Sequence, residues 1–179
     1  MEGYGIDPEP LFKSEEIDPE WMFDPGIRIP IEKFQNLQQK ALELSGDPYF
    51  GLKTAQYSRP AHLGALGFAW LASSSLRAAF QRLSRYAQVI QSKLQVELEE
   101  DEDFFYVRID AHVPILSKEI REDGQLSILT RFSRIIAGNE LNPAKVCFRQ
   151  TEPENTAFQY EFFRCTLEFG CESTMLVLN

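Results

Sequence analysis

Between Leu76 and Leu94, apolar residues recur every three or four positions, at Leu76, Phe80, Leu83, Ala87, Ile90 and Leu94. That spacing predicts a long helix with one buried face. Ser73 and Ser74 are its predicted N-caps, because either hydroxyl can accept an orphan amide hydrogen. The period then changes to two. Leu94, Val96 and Leu98 alternate with Gln95, Glu97 and Glu99, and beyond "EEDED" Phe105, Val107 and Ile109 alternate with Tyr106 and Arg108. A hairpin covered on one side explains both runs.

The same reading extends in both directions. Phe34, Leu37, Ala41 and Leu44 stripe a helix behind Pro30, ended by a left-handed cap at Gly46, with Asp47 and Pro48 opening a short helix. A second long helix is predicted within Lys118 to Ala137, weakened by Gly124, with Leu129, Phe132 and Ile136 on its face. "AKVCFRQ" reads as a strand, and Thr151 three residues before Glu154 reads as a capping box for a helix carrying Phe158 and Phe162. "CTLEF" and "TMLVL" are closing strands around a turn at Gly170. The order ααα-ββ-α-β-α-ββ predicts a single α+β domain, with an antiparallel or mixed sheet packed against several helices. Residues 1–29 are punctuated by prolines and offer only paired anchors, Leu11 with Phe12 and Trp21 with Phe23. They predict an N-terminal arm ahead of a domain spanning 30–179.

Composition narrows the function. Hydrophobic residues make up 44% of the 179 positions, with 14 phenylalanines, enough for a substantial core. A net charge of -9, from 27 acidic and 18 basic residues with no basic cluster, repels phosphate backbones and argues against direct nucleic-acid binding. Cys147, Cys165 and Cys171 have no CxxC spacing and read as free thiols of a reducing compartment. With no secretion signal and a longest apolar run of ten residues, Leu63 to Ala72, the expected location is the cytoplasm, without a membrane span.

Catalytic chemistry finds little support. His62 and His112 stand alone, outside any metal-ligating spacing, and no nucleophile elbow or phosphate loop is present. "GALG" follows "RPAHL" and no strand, so its glycines read as close-packing positions. Cys147 has no evident base to activate it. The acidic run "ELEEDEDFF" reads as a solvated hairpin tip. Neither an enzyme nor a metal or cofactor site is expected. Arg82, Arg85 and Tyr86 border the apolar stripe of the long helix, where a guanidinium could grip a carboxylate or phosphate and a ring could stack. With Phe148 they form the predicted effector-binding set. The plainer reading is a solvated helix face with an aromatic edge.

The ordered motifs "GDP-x-x-G-L" from Gly46, "LG-x-LG-[FY]-x-x-L-x-S-x-x-L" from Leu63, "L-x-R-Y" from Leu83, "F-x-x-x-x-P" from Phe148 and "FF-x-C-x-x-x-F-G" from Phe162 resemble the N-terminal arabinose-binding-type domain of AraC-family transcription regulators. The resemblance runs from about Ile6 to Leu178. It departs at Ser74, at Ala87 and at Arg164 to Thr166, where a glycine is commoner in place of the arginine. It implies a regulatory domain that senses a small-molecule effector and forms a homodimer. It also implies DNA contact only through a C-terminal pair of helix-turn-helix units that these residues do not include. The open alternatives are a pure dimerisation or binding module and a small α+β enzyme.

Overall fold

The computed structural model describes residues 1–24, 26–110 and 118–179. Among the described residues five α-helices precede the first strand: α1 (Glu9–Ser14), α2 (Ile31–Ser45), α3 (Phe50–Thr54), α4 (Ala65–Leu71) and α5 (Leu76–Ile90). The hairpin β1 (Gln95–Glu100) and β2 (Phe105–Asp110) follows, then α6 (Lys118–Ala137), β3 (Lys145–Cys147), α7 (Ala157–Phe163), β4 (Thr166–Glu168) and β5 (Thr174–Leu178). The strands form one sheet in the order β1-β2-β5-β3-β4. All neighbours pair antiparallel except β3 and β4, so the sheet is mixed, within the expected α+β class.

The period-two pattern decides which sheet face is buried. Val96, Val107, Ile109, Val146, Leu167, Leu176 and Leu178 point to the helices and meet Phe80, Leu83 and Ala87 of α5, with Leu126 and Phe132 of α6. Phe80, wholly buried, packs edge-on to Trp70 of α4 at 5.0 Å, and the Trp70 indole N–H donates to the Phe132 carbonyl at 3.1 Å. Burial of each such large apolar side chain contributes about 1.5–3 kcal/mol. The indole bond removes the penalty that a buried unpaired N–H would add.

Local chemistry sets the boundaries. Ser75, and neither Ser73 nor Ser74, caps α5: its extended backbone lets Oγ accept from the Ala78 N–H at 3.2 Å. Ser73 is committed elsewhere, donating to the Ala69 carbonyl. The expected capping box at Thr151 does not form, since α7 starts at Ala157 behind Thr156, three residues beyond Glu154. Leu44 leaves the predicted stripe of α2 and is 57% exposed, because the helix turns Leu37 and Ala41 toward the body instead. Gly46 takes the left-handed cap at φ +60.

The N-terminal segment is anchored at several points. Leu11 is buried against Ala41 and Phe50, and Ile17 is also buried. The Tyr4 hydroxyl donates to Asp47 Oδ2 at 2.8 Å, and Glu15 pairs with Lys40 of α2. Trp21 is half-buried, while the side chain of Phe23 lies outside the described residues.

Candidate functional site

The four residues singled out along the chain occupy three settings. Arg82 is half-buried, and its Nη1 donates to the Ala69 carbonyl and to Ser73 Oγ, both at 2.7 Å. It thereby holds the C-terminal end of α4, where a cation also complements the helix dipole. Arg85 and Tyr86 are exposed on α5, the guanidinium 5.5 Å from the ring centroid. Phe148 is wholly buried, stacked on Phe169 at 4.9 Å and edge-on to Phe163 at 5.9 Å.

A polar cleft of about 210 Å³ lies elsewhere, on the sheet face turned away from the helices. Gln95 and Glu97 of β1, Arg108 and Asp110 of β2, Arg149, and Glu172 with Ser173 ahead of β5 line it. Strand register explains the convergence. Glu97 stands opposite Arg108, and Gln95 opposite Asp110, on the outward positions of the hairpin. Arg108 reaches back to Glu99 at 2.9 Å and to Glu97 at 3.8 Å. These partners are solvated, so the pairs orient the guanidinium more than they stabilise the fold.

The opposite wall is positioned from inside the protein. Glu122, fully buried on α6, accepts from the backbone N–H groups of Arg149 at 2.9 Å and Gln150 at 3.0 Å. Beside it, the buried Asp123 accepts from the Gln150 side-chain amide at 3.1 Å. A carboxylate taking two backbone donors fixes the loop that presents Arg149. Motif reading missed both features. The hairpin register, read as facing pairs, would have placed Arg108 against Glu97; nothing local marks Glu122 as buried.

The remaining candidates lie outside the cleft lining. His62 Nδ1 accepts from the Arg59 N–H across the turn before α4, and His112 lies outside the described residues. In the hairpin tip Asp101 accepts from the N–H groups of Asp103 and Phe104 and from the Tyr106 hydroxyl. Burial pushes the Cys147 thiol up to about 12, with Cys171 beside it adding to the shift, so it stays protonated and is no nucleophile near neutrality. Among the described residues no helix is long and apolar enough to cross a membrane.

The helices cover one face of the mixed sheet, and the cleft opens on the other. The family described as "Arabinose-binding domain of AraC transcription regulator, N-term" matches residues 5–179, and the chain belongs to it. Membership makes this a regulatory, non-catalytic domain. The chain is 26% identical over 167 residues to the ornithine utilization regulator of Pseudomonas aeruginosa, covering 93% of this chain and 49% of that protein. It superposes on the crystal structure of the transcriptional regulator CdpR from Pseudomonas aeruginosa with a TM-score of 0.70 at 16% identity, covering 96% of this chain and 53% of the other. At that identity the likeness is one of fold. The chain spans about half the length of these relatives.

Proposed function

We propose that this domain senses a small amino acid or diamine-bearing acid and transmits its occupancy to DNA-binding units of a longer regulator. The cleft carries the reading: Arg149 lines it together with Asp110, Glu172 and the Arg108–Glu97 pair, in a space suited to a small polar molecule, and an incoming carboxylate would compete with Glu99 for the Arg108 fork. A carboxylate fits the guanidinium fork, and an ammonium fits the carboxylates. The name of the ornithine utilization regulator makes ornithine the first compound to try. Binding would favour one arrangement of the domain or of a homodimer, and the attached units would read that shift in population. A cytoplasmic location follows from the same reading.

Isothermal titration calorimetry against ornithine, lysine, arginine, glutamate and putrescine tests the proposal. The expected result is saturable binding of at least one compound, weakened at least about tenfold in Arg149→Ala, since a lost charge-assisted pair costs about 1.5–3 kcal/mol. Binding untouched by Arg149→Ala and Arg108→Ala, but lost in Arg85→Ala, would transfer the site to the Arg82, Arg85, Tyr86 and Phe148 set. For that set to work, an effector must draw Arg82 from the Ala69 carbonyl and open the Phe148 ring stack.

A dimerisation role has its own support. Phe68 at 63% and Leu71 on α4, with Tyr86 and Val89 at 55% on α5, leave large apolar groups in water. Sedimentation equilibrium should then show a dimer that Phe68→Ser weakens.

A further inference from the structure

We propose that Cys147, Cys171 and Glu168 form a binding site for a thiophilic divalent cation of the zinc class, a site separate from the effector cleft and independent of that reading. Their ligand atoms, two sulfurs and a carboxylate oxygen, all lie within 4.8 Å of one another, and Cys147 Sγ is 3.7 Å from Glu168 Oε2. A tetrahedral zinc ion with bonds of about 2.3 Å to sulfur and about 2.1 Å to oxygen holds its ligands about 3.5–3.8 Å apart. One edge already has that length. The other two edges are at most 4.8 Å long.

The backbone assembles the triad from three places. Cys147 and Glu168 are register partners at the ends of β3 and β4, on the sheet face away from the helices. The turn at Gly170, φ +70, brings the chain back so that Cys171 returns beside Cys147. Main-chain bonds hold that return: the Phe148 N–H donates to the Glu168 carbonyl at 2.8 Å, the Cys171 N–H to the Phe148 carbonyl at 2.9 Å, and the Gly170 N–H to the Gln150 carbonyl at 2.9 Å. Ligands set by a hydrogen-bonded frame lose little further freedom on binding.

Charge also balances. Two thiolates and a carboxylate exceed a divalent cation by one negative charge, and the Lys145 ammonium, 3.1 Å from Glu168 Oε2, supplies the missing positive one. Binding releases two thiol protons to solvent, one from each cysteine. Three protein ligands leave a fourth position for water or an exogenous group, which suits an exchangeable ion more than a permanent structural one. Cys147 is buried while Glu168 is exposed, so an ion has an approach from the carboxylate side. The soft sulfurs select zinc-class ions over magnesium or calcium.

Cobalt(II) titration of the reduced chain tests the site, with zinc affinity read by competition against a chromophoric chelator. One equivalent of cobalt should develop the sulfur-to-cobalt charge-transfer band and the visible bands of a tetrahedral thiolate site. Cys171→Ser and Cys147→Ser should each weaken binding at least about tenfold, Glu168→Gln should weaken it less, and Cys165→Ser should leave it unchanged. Cys171 is only partly buried, so its variant keeps the test valid should Cys147→Ser unfold. Absence of the thiolate band in folded protein with its thiols free overturns the proposal. So does an equal loss in Cys165→Ser.

Discussion

Gly67→Ala separates helix propensity from packing. On propensity alone the change should stabilise α4 by about 1 kcal/mol, because alanine loses less backbone freedom than glycine. The structure reverses that sign. A Cβ at position 67 would lie 1.6 Å from the Pro60 carbonyl oxygen, 2.4 Å from its carbon and 3.2 Å from the Ala61 nitrogen. These atoms belong to backbone, in a turn held by the His62 N–H to Arg59 carbonyl bond at 2.9 Å and the Gly64 N–H to Ala61 carbonyl bond at 3.0 Å. The contact must open by well over an ångström, and α4 has to move to allow it. Moving α4 shifts Trp70 against Phe80 and strains its bond to the Phe132 carbonyl. Overpacking typically costs about 1–3 kcal/mol, and a clash this deep against hydrogen-bonded backbone lies above that range at about 3–5 kcal/mol, so after the propensity gain a net loss of about 2–4 kcal/mol is expected. For a domain of this size that lowers the melting temperature by roughly 4–16 °C. Gly124→Ala is the matched control. Its nearest neighbour is the Gly51 carbonyl oxygen at 3.5 Å, an ordinary contact, so the propensity gain should survive as about 0.5–1 kcal/mol. Urea unfolding followed by circular dichroism reads both variants. A Gly67→Ala protein as stable as the parent would refute the close-packing account of "LGALGF".

Other outcomes follow from buried and tethered charges. Glu122→Ala strips two backbone N–H groups of their acceptor and should cost about 2–5 kcal/mol in urea unfolding, whereas Glu122→Gln, keeping one acceptor oxygen, should cost less. Burial pushes the Asp47 carboxyl up, but the Lys53 ammonium at 2.6 Å, the Tyr49 N–H and the Tyr4 hydroxyl outweigh it and hold the pKa below the usual aspartate value. Its stabilising contribution is therefore complete above that value and lost as pH falls through the lowered one, and Asp47→Asn should flatten the acid limb of the stability profile. Tyr4 has the opposite sign. Burial, with Asp47 beside it, raises its pKa from 10.0 to about 12, so its contribution is complete below 10.0 and fades as pH climbs to about 12. Tyr4→Phe should lose that alkaline fall, read as a shift in the unfolding midpoint between the two pH values.

What was legible along the chain was what repeats or what turns. The three-four spacing of α5 and the alternation of β1 and β2 each need only one buried face, and the same side chains that made the pattern make the core. The bounds of α6 were legible too: the helix runs through Gly124, whose cost of about 0.5–1 kcal/mol relative to alanine does not break it. Caps were less so. Three consecutive serines offer three equal acceptors, and tertiary demand assigns Ser73 to Ala69 and Arg82, leaving Ser75 for the cap. Arg164 shows the same limit in reverse: without being a glycine it takes a left-handed backbone at φ +57, ending α7 while its side chain donates to the Asn139 carbonyl. The cleft was illegible for a different reason. Arg108 and Glu97 face each other only once a register is chosen, and Arg149 joins them only because Glu122, 27 positions earlier, holds its N–H from beneath. Side chains that repeat must be packed and so declare themselves in sequence. Those that meet across β1, β2, Arg149 and Glu172 are joined by topology alone, and the thiol pair of Cys147 and Cys171 belongs with them.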